Sequence, residues 1–147
     1  SRDTLGLVDW QLLVLFAGLF VVNGVLAASG MPAHALAGAA GRGIDLAHPG
    51  WLFAATVLLS NLVSNVPATM LLLPAATHPL AGPVLALAST LAGNLFIVGS
   101  IANIIVVDQA ARLGVRVGWR EHARVGVPVT LITLAIAAIW LRAAAGR

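Results

Sequence analysis

Of 147 residues, 60% are apolar and only 13 are charged: eight Arg, no Lys, four Asp and one Glu. A soluble domain carries charge on about a quarter of its residues, whereas here no charge falls between Asp9 and Arg42, nor in the 62 residues between Asp45 and Asp108. That pattern excludes an ordinary soluble domain and predicts an integral membrane protein, its uncharged stretches entering a hydrocarbon core of about 30 Å. The formal charge of +3 marks membrane flanks, so no nucleic-acid partner is expected. The absence of Cys excludes disulfides, thiolate metal sites and cysteine nucleophiles within this chain. Ser1 to Asp9 show no basic region followed by a cleavage site, and the chain reads as a piece of something longer.

Residues 10–28 form an uncharged run of 19, interrupted in its interior by one strongly polar side chain, Asn23, and long enough to span. Residues 29–48 are rich in Gly and Ala and hold Pro32, His34, Arg42, Asp45 and His48, which predicts a surface connection with room for a short interfacial helix. The 62 residues from 46 to 107 would be about 93 Å long as one helix, so they must fold back. Asn65-Val66-Pro67 and the run from His78 to Pro83 are the turn signals. They leave arms of roughly 22 Å and 16 Å, too short to cross, and the segment 50–77 is therefore predicted as a re-entrant hairpin. Residues 84–113 are long enough to cross but are interrupted by Gly93-Asn94 and Gly99-Ser100, which predicts a broken helix. A connection at 114–121 follows, then a last span at 122–141 with Trp140 at interface depth and Arg142 closing it. The predicted class is an all-α integral membrane fold of three transmembrane spans plus one re-entrant helical hairpin. Arg112, Arg116, Arg120 and Arg124 place the 114–121 connection in the cytoplasm by the positive-inside rule, and Arg2 then falls on the same side.

The polar residues at membrane depth gather at two points. One is Ser60-Asn61-Leu62-Val63-Ser64-Asn65-Val66-Pro67, where Ser60 with Ser64, and Asn61 with Asn65, recur at four residues and are expected on one helix face. The other is Gly93-Asn94 followed by Gly99-Ser100-Ile101-Ala102-Asn103, preceded by Ser89-Thr90. Lipid tolerates broken backbone only where protein covers it or a wet cavity adjoins it. Each break also restarts a helix, with Pro67 suited to a first position and Ser64, Asn65 or Ser100 suited to caps. Helix starts favour an anion, and the carbonyls of the incoming arms, with Ser and Asn oxygens, can hold sodium. Ser64, Asn65, Asn94, Ser100 and Asn103 are therefore candidate anion ligands. Ser64, Asn65, Gly99, Ser100 and Asn103 are candidate sodium ligands, sodium being the one coupling ion expected and no further cofactor.

Other polar residues have plainer readings. Asn23 is expected to serve helix packing. His34, His48 and His78 fall at segment ends, at interface depth. Asp108 reads as a solvated helix terminus, with proton coupling as its alternative role. The Arg residues every fourth position read as topology and contact with anionic lipid.

Val8-Asp9-Trp10-Gln11-Leu12-Leu13-Val14-Leu15-Phe16-Ala17-Gly18, Ser64-Asn65-Val66-Pro67-Ala68, Gly93-Asn94-Leu95 and Gly99-Ser100-Ile101-Ala102-Asn103-Ile104-Ile105-Val106, in this order, resemble the citrate transporter-like permeases. These belong to the ion transporter superfamily that includes divalent-anion/sodium symporters and arsenite permeases. The resemblance covers nearly the whole chain and is to the C-terminal half of the family. It implies one of two inverted repeats, with Ser64, Asn65 and Val66 at a hairpin tip and Ser100 to Asn103 in the facing loop, around one cation and part of the anion. Val66 stands where the family has Thr, and Ile101-Ala102 where it has two prolines, so an arsenite-type or other anion substrate is implied as readily as a dicarboxylate.

The expected function is secondary transport of a carboxylate, arsenite or other inorganic anion on a sodium or proton gradient, across the bacterial inner membrane and without covalent chemistry. Its partners are the small anion, the bilayer and a missing N-terminal repeat, with a homodimer left open. A cation/proton antiporter half and an accessory membrane subunit with a packing role are the alternatives. An intramembrane enzyme is disfavoured for want of an acid, His or Cys at depth.

Overall fold

A computed structural model of the chain describes residues 10–146. Arg2, on which part of the orientation argument rests, Val8 and Asp9 of the first resemblance motif, and Arg147 lie outside the described residues.

The described residues are all-helical, as the composition predicts. Helix α1 (Trp10–Ala28) turns by 60° into α2 (Met31–Ala40). The bend sits at Gly30, whose φ of 72° is left-handed backbone that glycine adopts without a Cβ clash, and Pro32 then opens α2 where a missing N–H costs nothing. Helix α3 (Pro49–Val63) starts with Pro49 and is capped by His48, whose Nδ1 accepts from Gly50 N at 3.1 Å. Helix α4 (Asn65–Leu72) runs on into a 3-10 turn at Leu73–Ala75. Helix α5 (Ala81–Ala92), a 3-10 turn at Ile97–Gly99, α6 (Ile101–Arg112) and α7 (Trp119–Ala145) complete the order.

Helix α7, of 27 residues, is about 40 Å long and is the one described helix that is apolar and long enough to cross a membrane by itself. The bent pair α1–α2 passes the same length and composition test when taken together, while α3, α4 with its turn, and α5 are shorter apolar helices. Helix α5 begins at Ala81, three residues before the expected start, and α7 begins at Trp119, inside the expected connection. Both shifts have one cause: Leu80 and Gly118 precede the starts without a side-chain cap, so neither start carries the Ser, Asn or Pro signal that marks other ends.

Helix α3 is central, packing on α5 and α4, and α5 in turn packs on α7. Leu52, Leu72, Val84, Leu85, Ala81 and Leu141 form the core, joined by Leu46. Leu46 shows that the 29–48 connection is not wholly at the surface, because its end tucks under α3. Fully buried Ala68, Ala88 and Ala92 let these helices approach closely, which is how packing is gained where lipid supplies no hydrophobic drive. Helix α6 buries none of its residues and rests on the 3-10 turn before it.

Candidate functional site

The first interruption is a single residue. Ser64 lies at φ 73°, ψ 160°, the one described non-glycine residue with positive φ. It ends the α3 ladder at Val63 and lets α4 restart at Asn65 in a new direction. The expected pairing of Ser60 with Ser64, and of Asn61 with Asn65, on one helix face therefore does not occur, because the repeat crosses the break. Pro67 falls in the first turn of α4, third rather than first, where its missing N–H has no intrahelical acceptor to lose. Ser64 Oγ makes no cap bond and donates to Asn65 Oδ1 at a long 3.4 Å, while Thr69 Oγ1 donates back to Asn65 O at 2.9 Å.

This backbone region is essentially reserved for glycine, at a cost of about 1–3 kcal/mol for other residues. Ser64→Gly is thus expected to raise the melting temperature of the detergent-solubilised protein by several degrees, and Ser64→Ala to leave the strain in place. Equal melting temperatures for the two variants would show that the tip is not strained.

The second interruption is longer. Beyond α5, Gly93 N donates to Ser89 O at 3.1 Å and Leu95 N to Ala92 O at 3.0 Å, so the helix unwinds through a tight turn. Ser100 is extended and its Oγ accepts from Ala102 N at 3.3 Å, capping α6 where the sequence predicts. Asn103 reaches back from α6, and its Nδ2 donates to Gly93 O at 2.8 Å and Phe96 O at 3.3 Å. One amide thus closes the whole break against its own helix.

Helix α3 meets the second interruption at Asn61 and Gly99. A Cβ on Gly99 would stand 3.0 Å from Asn61 Oδ1 and 3.0 Å from Gly93 O, and one on Gly93 would stand 3.1 Å from Ser100 Cβ. The glycines are what allow α3 to touch the break. Asn61 Nδ2 is already used, donating to Val57 O at 2.9 Å, while Asn61 Oδ1 and Ser60 Oγ are buried with no partner. The free atom at the junction is therefore an acceptor oxygen, Asn61 Oδ1, which suits a hard cation or a hydroxyl donor. Helix starts at α4 and α6 add partial positive charge. Among the described residues, no hydrogen bond joins the side chains of Ser64, Asn65 or Val66 to the break, and no group of three or more His, Cys, Asp or Glu gathers to hold a metal.

Asn61 thus joins the break more directly than the tip residues do. The sequence marks it as polar at membrane depth, but only the length of α3 places it against Gly99. His122 and Gly126 are the other residues the sequence reading passes over. His122 Nε2 lies 3.0 Å from Asn94 O, and a Cβ on Gly126 would stand 2.6 Å from the same atom. Their spacing of four puts both on one face of α7. Asn23, buried, donates through Nδ2 to Leu19 O at 2.9 Å within its own helix, and so takes no part in either break.

Asp108 is exposed on α6 and pairs with Arg112 one turn on at 2.9 Å. A pair that is well over half exposed is worth about 0.5 kcal/mol or less. Asp108→Asn is expected to leave stability unchanged within that margin and uptake within twofold of wild type. Loss of proton-driven uptake in that variant would instead assign Asp108 the coupling role.

The citrate transporter family matches residues 1–92. An uncharacterized transporter of Mycobacterium tuberculosis (strain CDC 1551 / Oshkosh) is 31% identical over 95% of this chain and 36% of its own length. A silicon efflux transporter of Oryza sativa subsp. japonica is 34% identical over 92% of this chain and 31% of its own. The inner membrane protein YbiR of Escherichia coli (strain K12) is 37% identical over 78% of this chain and 28% of its own. The chain spans about a third of the length of the curated relatives it matches. No solved structure matches it. With the family match covering α1 to α5, the chain belongs to the citrate transporter family, a family of membrane transporters rather than enzymes.

Proposed function

We propose that the chain forms one repeat of a secondary transporter that carries an anion across a bacterial inner membrane on a sodium or proton gradient. The observation that carries this reading is the meeting of two interrupted helical segments at Asn61 and Gly99, where the buried Asn61 Oδ1 has no partner. Irregular backbone at membrane depth is stable only beside protein or a wet cavity. Here α1 with its bend, the broken helix α5–α6 and α7 cross, the hairpin α3–α4 enters and leaves on one side, and the Arg112 to Arg124 cluster faces the cytoplasm.

Ser64, Asn65, Gly99, Ser100 and Asn103 then hold sodium as the coupling ion, and Ser64, Asn65, Val66, Asn94, Ser100 and Asn103 form this chain's share of the anion site. A second repeat, facing the unpacked side of α6, supplies the remainder. The junction has no fixed positive side chain, so helix starts and neutral donors bind the anion, which favours a weakly charged or hydroxyl-rich oxyacid over a densely charged one. The test is uptake by the full-length protein in proteoliposomes, with citrate, succinate, arsenite, phosphate, sulfate and orthosilicic acid offered with and without a sodium or proton gradient. Gradient-dependent uptake of at least one is expected, and uptake of none overturns the proposal.

A further inference from the structure

Two successive carbonyls of the break, those of Gly93 and Asn94, are held by different helices. Asn103 of α6 donates to the first, and His122 of α7 lies 3.0 Å from the second. A carbonyl oxygen only accepts, so His122 Nε2 must carry the proton in this contact, whatever the state of Nδ1. The Asn94 carbonyl stands just past the end of α5, among the carbonyls to which the helix supplies no donor. One turn further along α7, buried Gly126 leaves the space into which the same carbonyl fits, since a Cβ there would come within 2.6 Å of it. That obstacle is backbone, which cannot rotate aside as a side chain can. Beside the contact a cavity of about 450 Å³ is lined by Val117, Val125 and Val129, with Glu121 the charged group on it.

We propose that His122 is a positioning residue of the candidate site. With the notch at Gly126, it fixes the Asn94 carbonyl and so ties the break to α7. The proposal rests on the transport reading above for its functional consequence, but its geometry stands apart from it. Helix α7 then carries the break with it, and displacement of α7 re-aims Gly93, Asn94 and, through Asn103, the start of α6. A purely structural cap would be satisfied by any side chain that keeps the protein folded. A positioning donor needs an N–H at the reach of Nε2, which Gln supplies and Leu does not.

The experiment uses the full-length protein in proteoliposomes, free of other cysteines, with Val98→Cys in the break as reporter. Val98 is half exposed in the 3-10 turn. Labelling by a maleimide reads the break directly, and uptake kinetics read the site. H122L and G126A are expected to speed Val98→Cys labelling at least fivefold and to raise KM at least fivefold. H122Q should stay within twofold of wild type in both. Should H122L fail to fold, H122N, whose amide is too short to reach, replaces it with the same expectation. Labelling in H122L or H122N at the wild-type rate, or H122Q behaving as H122L does, overturns the proposal. If the wild type transports none of the offered substrates, the transport reading fails while the labelling rates still decide the role of His122.

Discussion

Gly99→Val is expected to reduce uptake by the full-length protein more than tenfold and to lower its melting temperature by several degrees. The first added carbon alone would lie 3.0 Å from Asn61 Oδ1 and 3.0 Å from Gly93 O, tight enough that a neighbour must give way, before the two γ carbons are counted. The Asn61 amide can turn only by giving up its bond to Val57 O, and the Gly93 carbonyl is fixed by Asn103. Overpacking of this kind costs about 1–3 kcal/mol. Because the φ of Gly99 is outside the left-handed range, the backbone itself accepts a side chain there, so the effect measures the space between α3 and the break. Gly18→Ala in α1 is the control, since nothing lies within 4 Å of a Cβ at Gly18. It should leave uptake unchanged and stabilise by up to about 1 kcal/mol through helix propensity. Full uptake by Gly99→Val would mean that the close contact of α3 with the break does not serve transport.

Asn103→Asp is expected to be as damaging despite its nearly identical shape. The amide nitrogen is the donor to Gly93 O and Phe96 O, and an ionised carboxylate only accepts. Both carbonyls would lose their donor, and each would face a negative oxygen instead. The bond to Gly93 O is part-buried, and an acceptor left without its donor there costs about 1–3 kcal/mol, while the bond to Phe96 O is exposed and adds little, so the break loses roughly 1–3 kcal/mol. Uptake should fall more than tenfold, and more than in Asn103→Ala, which leaves the carbonyls bare but brings no repelling charge. Chemical denaturation in detergent together with uptake reads both effects. A milder phenotype for Asp than for Ala would show that the Asn103 oxygen, rather than its N–H, serves the site.

Much of this architecture can be read from residues alone, for reasons that differ by segment. The long gaps between charges forecast the helical class, and Pro67 and the Gly93-Asn94 and Gly99-Ser100 pairs mark where helices stop. Ser100 signals its own cap because Ser at an N-cap satisfies a donor locally. What depends on distant contacts is not legible. Ser64 has no local preference for φ 73°, so nothing in its neighbourhood marks the one-residue break, and the four-residue repeat runs straight across it. His122 lies 28 residues from Asn94, and nothing local to either announces their contact. Gly126 carries no sequence signal of its own, and only the carbonyl beside it gives it a role. Ala81 and Trp119 start helices without caps, and the boundaries of α5 and α7 follow packing rather than turn chemistry.

The central claim is that the hairpin tip and the break form one binding site within a transporter. Its most direct test is substrate protection of a single cysteine at the tip, Val66→Cys, in the full-length protein in proteoliposomes. Val66 is partly buried beside Ser64 and Asn65, so its replacement by a residue of similar volume is expected to fold. An anion that the wild type takes up, with its driving ion present, should slow maleimide labelling of that cysteine at least threefold, and slow it less when Asn103 is also replaced by Ala. Labelling at the same rate with and without a transported anion would contradict the account.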